Sequence, residues 1–420
     1  MKSIKDTDWG SMYRAIEVEP VINAIGNVSV LGGSTATPGV RAAMESASDS
    51  YAPLLQVAEK ASQAVAEMLG VEAAWITSGA GSALSLASAT CIARDDADAL
   101  ARIPITDGLP NEILIQKRQR YSYDRCLELA GGVLVEVTGG RVPGEGEYQP
   151  ALGPAHKADA DAVPGTTAEA LARAIGPNTA AVHYVADERA RDDTILGFDE
   201  ILSVAHEHNK PLIVDAAGQV FPTGNLSKYA LAGADFVCYG AKYIGAPHST
   251  GFVAGKKEWI DLLKRHSFVA FESLGLRAWG RPHKVDRQEM IGVVAAVREW
   301  LTTDHEQRFA EYDQQIDIMQ NSLKSIPGLT TNALRMTVGG SSYGLMLDLE
   351  PAVSGVNIEE LVDDLKSGSP SIWTRVVGGT MLLAVNCLAQ GEAETVGDRI
   401  ASVLADRATN PQSNRARRGR

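Results

Sequence analysis

The sequence is poor in cysteine and has no long apolar run. Its 420 residues include four cysteines, which are widely spaced and form no Cys-x-x-Cys pair. Such spacing predicts neither a disulfide framework nor a zinc site, and it fits a reducing compartment. No run of about 18 apolar residues appears, and the opening MKSIKDTDWGSMYR lacks the apolar core of a signal peptide. We therefore expect a cytoplasmic protein without a membrane segment.

Excess positive charge is also absent. The chain has 39 Lys and Arg against 52 Asp and Glu, which gives a formal net charge of -13. An acidic chain repels polyanions, so we expect no nucleic acid partner. The polar, basic end NPQSNRARRGR is typical of a solvated tail. The eight histidines show no spacing typical of metal ligands, so no metal site is predicted.

Short apolar segments alternate with helical patterns along most of the chain. AAWI, ILIQ, VLVEV, TAAVHYV, PLIVDA and DFVCYG are typical of buried strands, and VAEKASQAVAEML before Gly70 is typical of a helix. This alternation predicts an α/β fold with a mostly parallel sheet. The predicted organisation is an N-terminal extension (1–20), a large domain (21–285), a linking helix (286–326), a small C-terminal α+β domain (327–408) and a disordered basic tail (409–420).

Three segments are predicted to meet at the carboxyl edge of that sheet, where open α/β folds bind ligands. In TSGAGSA, the residues Ser78, Gly79 and Ala80 open a helix whose N-terminus suits a phosphate, although small residues in such a turn often serve packing alone. Asp215 ends the strand PLIVD, where it could also simply cap a helix. Lys242 follows the strand DFVCYG, and could also be a surface lysine whose stem packs well.

Together these three features match the protein groups that pyridoxal phosphate requires. A partly desolvated lysine forms a Schiff base with the aldehyde, an acid pairs with the ring nitrogen, and a helix N-terminus holds the phosphate. The combination is much more specific than any one member.

The segments TSGAGSA, IVDAAGQV, GAKYIGAPHSTGFVAGKKEWI and GRPHKV also resemble a known family. They are similar to fold-type-I pyridoxal phosphate enzymes of the selenocysteine synthase-like group, which includes D-glucosaminate-6-phosphate ammonia-lyases. The resemblance runs from about Val21 to LAQGEAETV. It implies the fold-type-I transferase fold, with a seven-stranded type of large domain and a small C-terminal α+β domain. It makes Lys242 the Schiff-base residue, Asp215 the partner of the ring nitrogen and Gln219 a further cofactor ligand.

The lysine segment departs from that family in ways that affect the phosphate site. Tyr239 stands where serine is common, so the phosphate hydroxyl is expected from Ser78, from Tyr239, or from Ser249 or Thr250 of a neighbouring subunit. His248 replaces a usual glutamine, which leaves the substrate open.

Other side chains are candidates for contact with the cofactor or substrate. Tyr121 or Tyr123 follows a strand and could stack on the cofactor ring, although an aromatic there is as often core packing. Arg281 and Lys284 lie near a helix start, where the helix dipole disfavours cations, which predicts an anionic ligand, although a solvated charged loop explains them equally well. Arg375 resembles the small-domain arginine of the family, which implies a clamp for a substrate carboxylate.

The resemblance implies a lyase that acts on a small 2-amino-3-hydroxy acid and releases ammonia and a 2-oxo acid. An aldolase or a racemase shares its early steps, so the sequence leaves these alternatives open. A selenium transferase acting on seryl-tRNA is a further alternative, disfavoured by the acidic charge and by the shared segment already starting near Val21. Because fold-type-I sites are shared between subunits, we also expect a homodimer or larger assembly.

Overall fold

The computed structural model describes residues 12–139, 164–187, 192–336 and 342–409. These residues form two compact units. One comprises the described residues of 34–302, and the other comprises 12–33, 303–336 and 342–409. Most of the predicted basic tail and the first part of the predicted N-terminal extension lie outside the described residues.

The strands and helices follow in chain order. The strands are β1 Ile22–Asn23, β2 Ala73–Thr77, β3 Glu112–Gln116, β4 Val133–Val137, β5 Thr179–Val185, β6 Leu212–Asp215, β7 Phe236–Gly240, β8 Gly251–Gly255, β9 Leu329–Met336, β10 Ser342–Leu349, β11 Ile372–Trp373, β12 Arg375–Val377 and β13 Thr380–Ala384. The α-helices are α1 Met12–Ala15, α2 Pro38–Ser48, α3 Leu54–Leu69, α4 Ala80–Ala93, α5 Ala97–Arg102, α6 Ala168–Ala174, α7 Phe198–Glu207, α8 Asn225–Leu231, α9 Lys257–Arg265, α10 Phe268–Leu274, α11 Arg287–Thr302, α12 His305–Leu323, α13 Pro351–Ser354, α14 Ile358–Lys366 and α15 Glu392–Thr409.

A seven-stranded sheet forms the centre of the large unit, counted over its described residues. The strand order is β2-β8-β7-β6-β5-β3-β4. Strand β8 runs antiparallel to both neighbours, and the strands from β7 to β4 pair in parallel. The predicted α/β fold with a mostly parallel sheet is confirmed.

Helix α4 packs against strands β5, β6, β7 and β8 of this sheet. Every residue from Ala83 to Ala93 is buried, and most of these side chains are small. Small side chains let the helix pack close to the strands, so its N-terminus is held at the carboxyl edge of the sheet. Helix α3 ends at Gly70 in the left-handed conformation (φ 67°), as its sequence predicts.

The second unit contains a four-stranded antiparallel sheet with the order β12-β13-β10-β9. The linking helix predicted over 286–326 is in fact two helices, α11 in the large unit and α12 in the second unit. The break occurs where the Asp304 side chain accepts a hydrogen bond from the Gln307 N–H (2.9 Å) and caps α12. Residues 21–33 belong to the second unit, because β1 pairs with β11. None of the described helices is both long and apolar enough to cross a bilayer.

Candidate active site

Asp215 and Lys242 lie at the carboxyl ends of two neighbouring parallel strands. Asp215 is the last residue of β6 and is in register with Cys238 of β7. Lys242 lies in a short 3-10 helix, Ala241–Ile244, that follows β7 directly. The two side chains therefore arise from the same edge of the sheet, as the sequence predicted.

Asp215 is buried and accepts two hydrogen bonds. The Ala217 N–H donates to one carboxylate oxygen (2.9 Å), and the Tyr121 hydroxyl donates to the other. Burial raises the pKa of Asp215, and the two hydrogen bonds offset this only in part. A carboxylate held in this way is ready to pair with a cationic group.

Tyr121 is half-buried, whereas Tyr123 is exposed. The Tyr121 ring is parallel to that of His183, with centroids 6.2 Å apart and an angle of 10° between planes. The Tyr123 side chain is 58% exposed and meets Tyr121 edge-on. Of the two predicted aromatics, Tyr121 is thus the one that contacts Asp215.

His183 was not predicted from the sequence, because a histidine within an apolar strand gives no signal of its own. Its Nδ1 lies 3.0 Å from the Ile213 carbonyl oxygen, which can only accept, so Nδ1 carries the proton. Burial lowers the pKa of His183 to about 4, so the ring is neutral near pH 7. The neutral His183 ring therefore brings no positive charge to the Tyr121 side chain that bonds Asp215.

The Lys242 amine is half-buried and lies over the Tyr243 ring, 5.1 Å from its centroid. Burial lowers the pKa of Lys242, which increases the fraction of neutral, nucleophilic amine. Its backbone carbonyl accepts a hydrogen bond from the Ser34 hydroxyl. Burial, and secondarily the charge of Lys242, lower the pKa of His248.

The turn between β2 and α4 has the features of a phosphate site. Gly79 adopts φ 95°, and a Cβ atom there would meet no atom within 4 Å. No side chain caps α4, and its first regular hydrogen bond runs from Ala83 N–H to the Gly79 carbonyl. The N–H groups of the first turn therefore have no acceptor within the helix and can bind an anion.

His283 reaches this turn from a distant part of the chain. Its Nδ1 lies 2.8 Å from the Ser82 hydroxyl, which in turn lies 2.8 Å from the Ser78 hydroxyl. Neither Ser82 nor His283 was singled out from the sequence, because their 201-residue separation hides the contact.

Several other predicted cofactor ligands have different partners. The Tyr239 hydroxyl donates to the Asn225 carbonyl (2.8 Å) in the buried core, so it is not available to a phosphate. Ser249 donates to Glu289, and Thr250 donates to the Pro247 carbonyl (2.7 Å) within its own loop. Gln219 is buried. The contribution of Ser249 or Thr250 to a neighbouring subunit stays a prediction.

The three basic residues predicted to bind the substrate do not lie on one helix or strand. Arg281 forms an ion pair with Glu272 (2.6 Å) and lies over the Phe271 ring, while Lys284 is exposed. Arg375 begins β12 in the second unit.

The residues of the large unit fit pyridoxal phosphate. They supply an amine with lowered pKa, a buried carboxylate at the next strand end, and unpaired N–H groups at the start of α4. No protein-family model matches the chain. However, it is 30% identical over 405 residues to a 5'-C-glycyluridine monooxygenase-decarboxylase from Streptomyces sp, covering 95% of this chain and 93% of that protein. The chain belongs to the selenocysteine synthase-like group of fold-type-I pyridoxal phosphate enzymes.

Two further comparisons agree with this family. A D-glucosaminate-6-phosphate ammonia lyase from Salmonella typhimurium (strain 14028s / SGSC 2262) is 26% identical over 402 residues, covering 94% of this chain and 98% of that protein. The solved structure of a D-glucosaminate-6-phosphate ammonia-lyase superimposes with a TM-score of 0.78 at 24% identity, covering 95% of this chain and 99% of that one. The predicted fold-type-I fold is therefore confirmed, and the chain is an enzyme of this family.

Proposed function

We propose that this fold-type-I enzyme binds pyridoxal phosphate on Lys242 and acts as an ammonia-lyase on a small amino acid with a 3-hydroxyl group. The observation that carries the proposal is that Lys242, Asp215 and the open N-terminus of α4 meet at one edge of the sheet. The names of two relatives support the substrate class, since one describes an aminosugar acid and the other a glycyl nucleoside.

Each residue has a distinct task in this proposal. Lys242 would carry the cofactor, Asp215 would pair with its ring nitrogen, and the first turn of α4 with Ser78 would hold its phosphate. When bound, the cofactor supplies an electron sink that stabilises negative charge at the α-carbon of an amino acid. Tyr121 donates to Asp215 and so fixes the direction of the carboxylate.

Lys242 is also the candidate base. Its partly buried Nζ has a lowered pKa, which increases the fraction of neutral amine that can accept the α-proton. The 3-hydroxyl then leaves as water, and the addition of one water releases ammonia. The net reaction converts a 2-amino-3-hydroxy acid to a 2-oxo acid and ammonia, with no net change in water.

A second candidate function is an oxidative decarboxylation, which is favoured by the relative that is 30% identical. In that case the carboxylate leaves the α-carbon as carbon dioxide and molecular oxygen is the co-reactant, with one oxygen atom entering an amide product and the other leaving as water. Asp215 would serve both reactions in the same way, because both place negative charge at that carbon.

The substrate anion is proposed to bind Arg281 and Lys284 of the large unit, while the role of Arg375 in the second unit stays a prediction. Lys284 is exposed, whereas Arg281 already pairs with Glu272. An anion at Arg281 must therefore compete with that carboxylate, so we expect it to contribute less than Lys284.

The cofactor is tested by adding pyridoxal phosphate to the full chain, reducing with borohydride and mapping the modified peptide by mass spectrometry. The mass increase should fall on Lys242 and disappear in Lys242→Ala. It should persist in Lys257→Ala, since Lys257 is an exposed lysine paired with Asp261 (2.5 Å). Labelling of a different lysine in the wild type would contradict the assignment.

The reaction is tested by screening serine, threonine, 3-hydroxyaspartate and aminosugar acids of both configurations. Ammonia together with a 2-oxo acid would support the lyase. Aldehyde without ammonia would instead indicate an aldolase, loss of optical rotation alone a racemase, and oxygen uptake with carbon dioxide release the second candidate. Transfer of selenium to seryl-tRNA would overturn the proposal.

A further inference from the structure

Three polar side chains form a continuous chain of contacts at the start of α4. The Ser82 hydroxyl lies 2.8 Å from both His283 Nδ1 and the Ser78 hydroxyl, and it donates a hydrogen bond to the Ser78 carbonyl oxygen (3.0 Å). The His283 ring packs on Trp279, with centroids 4.8 Å apart. Its backbone N–H donates to the Gly280 carbonyl (2.9 Å), which fixes the loop that presents the ring. His283 is thus held in place by more than its contact with Ser82.

The number of protons restricts how these contacts can be used. A hydroxyl has one proton to donate and two lone pairs to accept with. If Ser82 donates its only proton to His283, it has none left for Ser78. The contact between the two hydroxyls then requires the Ser78 proton, which is not available to any other group. If His283 donates from Nδ1, the single Ser82 proton is shared between the Ser78 carbonyl oxygen (3.0 Å) and the Ser78 hydroxyl oxygen (2.8 Å), both of which accept it. The Ser78 proton is then released for a third group.

We propose that His283 orients a relay of hydroxyl protons, in which Nδ1–H donates to Ser82 and Ser82 donates to Ser78, so that Ser78 donates to the cofactor phosphate. This inference rests on the proposed function, because it assumes that the phosphate binds at the start of α4. His283 is in this view a positioning residue, since it acts through Ser82 and Ser78. Burial lowers the pKa of His283, so its ring is neutral near pH 7 and its single proton must be on Nδ1 for the relay to form.

Calorimetry with two probes isolates the phosphate contribution. Pyridoxamine 5'-phosphate lacks the aldehyde and cannot bond to Lys242, and pyridoxamine also lacks the phosphate. In the full chain without cofactor, His283→Phe keeps an aromatic ring on Trp279 but removes the donor. We expect it to weaken pyridoxamine 5'-phosphate binding by about tenfold, the effect of one hydrogen bond to a charged group. Pyridoxamine binding should not change.

Three further variants separate the relay from a structural role. Ser82→Ala should weaken pyridoxamine 5'-phosphate binding as much as His283→Phe does, and the double variant should add little, because both break one chain. His283→Asn should restore much of the affinity, since its amide can donate near the position of Nδ1. Ser88→Ala is the matched control on the same helix, because its buried hydroxyl bonds only to the Leu127 carbonyl (2.7 Å) among the described contacts.

The outcomes are distinguishable. Unchanged pyridoxamine 5'-phosphate affinity in His283→Phe, or equal weakening of both probes, would overturn the relay while leaving the cofactor assignment in place. Failure of the wild type to bind pyridoxamine 5'-phosphate would overturn the proposed function, and the relay with it. The phosphorus NMR signal of the bound probe gives a second readout, which should shift in His283→Phe and return towards the wild-type position in His283→Asn.

Discussion

Replacing Asp215 by asparagine should stabilise the cofactor-free protein while impairing catalysis. Burial raises the pKa of Asp215 above its ordinary value of 3.8, so folding favours the protonated, neutral carboxyl. The free energy of unfolding of the wild type therefore falls as the pH rises through the raised pKa of Asp215 in the folded state. Above that pKa the whole of this contribution is lost. Asparagine resembles the neutral carboxyl and removes this loss.

The size of the effect follows from the contacts of the carboxylate. Its two hydrogen bonds, from Tyr121 and Ala217, each gain about 1 kcal/mol from the negative charge, whereas burying the charge costs several kcal/mol. The balance favours asparagine by about 1–2 kcal/mol. For a unit of this size, that corresponds to a rise in Tm of roughly 2–8 °C at pH 7.5.

Differential scanning calorimetry of the cofactor-free protein over a pH series measures this. Asp235→Asn is the matched control, because Asp235 is also buried in the large unit but pairs with Lys256 (3.0 Å) and His206 (2.9 Å). Loss of a paired buried charge should lower Tm. A lower Tm for Asp215→Asn at pH 7.5, or a gain that does not shrink on acidification, would refute the reasoning. With cofactor added, Asp215→Asn should retain part of it but turn over much more slowly.

Three other predictions concern the Lys242 amine, the close backbone contact at Gly251 and the assembly of subunits. Burial lowers the pKa of Lys242 below the ordinary 10.5, so the extent of its reductive methylation in the cofactor-free protein should reach half its maximum below pH 10.5. Peptide mass spectrometry over a pH series measures this extent. A midpoint at or above pH 10.5 would contradict the burial argument. Gly251→Ala should destabilise the large unit by about 1–3 kcal/mol in urea unfolding, because its Cβ would lie 2.4 Å from the Tyr239 carbonyl oxygen. Gly224→Ala, where a Cβ meets no atom within 4 Å, is the control, and an equal loss in both would refute the steric reason. Sedimentation should show a homodimer or larger assembly with a Tm that rises with protein concentration, and a fully active monomer would contradict this.

The fold was largely predictable because six strands of the main sheet are apolar runs between turn residues. Strand β8 was not predicted, since GFVAG begins and ends with glycine, which is usually rare in strands. The structure gives the reason: a Cβ at Gly255 would lie 2.0 Å from the Asp235 carbonyl oxygen. The glycines therefore serve close approach of the backbones, a requirement that only the folded sheet reveals.

The candidate site was predictable where a residue ends an apolar strand, as Asp215 does. Strand alternation could have removed Tyr239 from the predicted phosphate ligands. Cys238 is in register with Asp215, so the next residue, Tyr239, points to the face of the sheet opposite to that of Asp215. His283 gave no such signal, because its contact with Ser82 depends on a tertiary arrangement.

The parallel pairing of β1 with β11 has a consequence for biosynthesis. Ile22 pairs with Ile372, so β1 has no strand partner until residue 372 has left the ribosome. The described residues of 34–302, by contrast, have their sheet partners within their own unit and can fold while the rest is still being made. Until β11 has been made, Ile22 and Ala24, which are buried in the folded protein, lack this partner in the nascent chain.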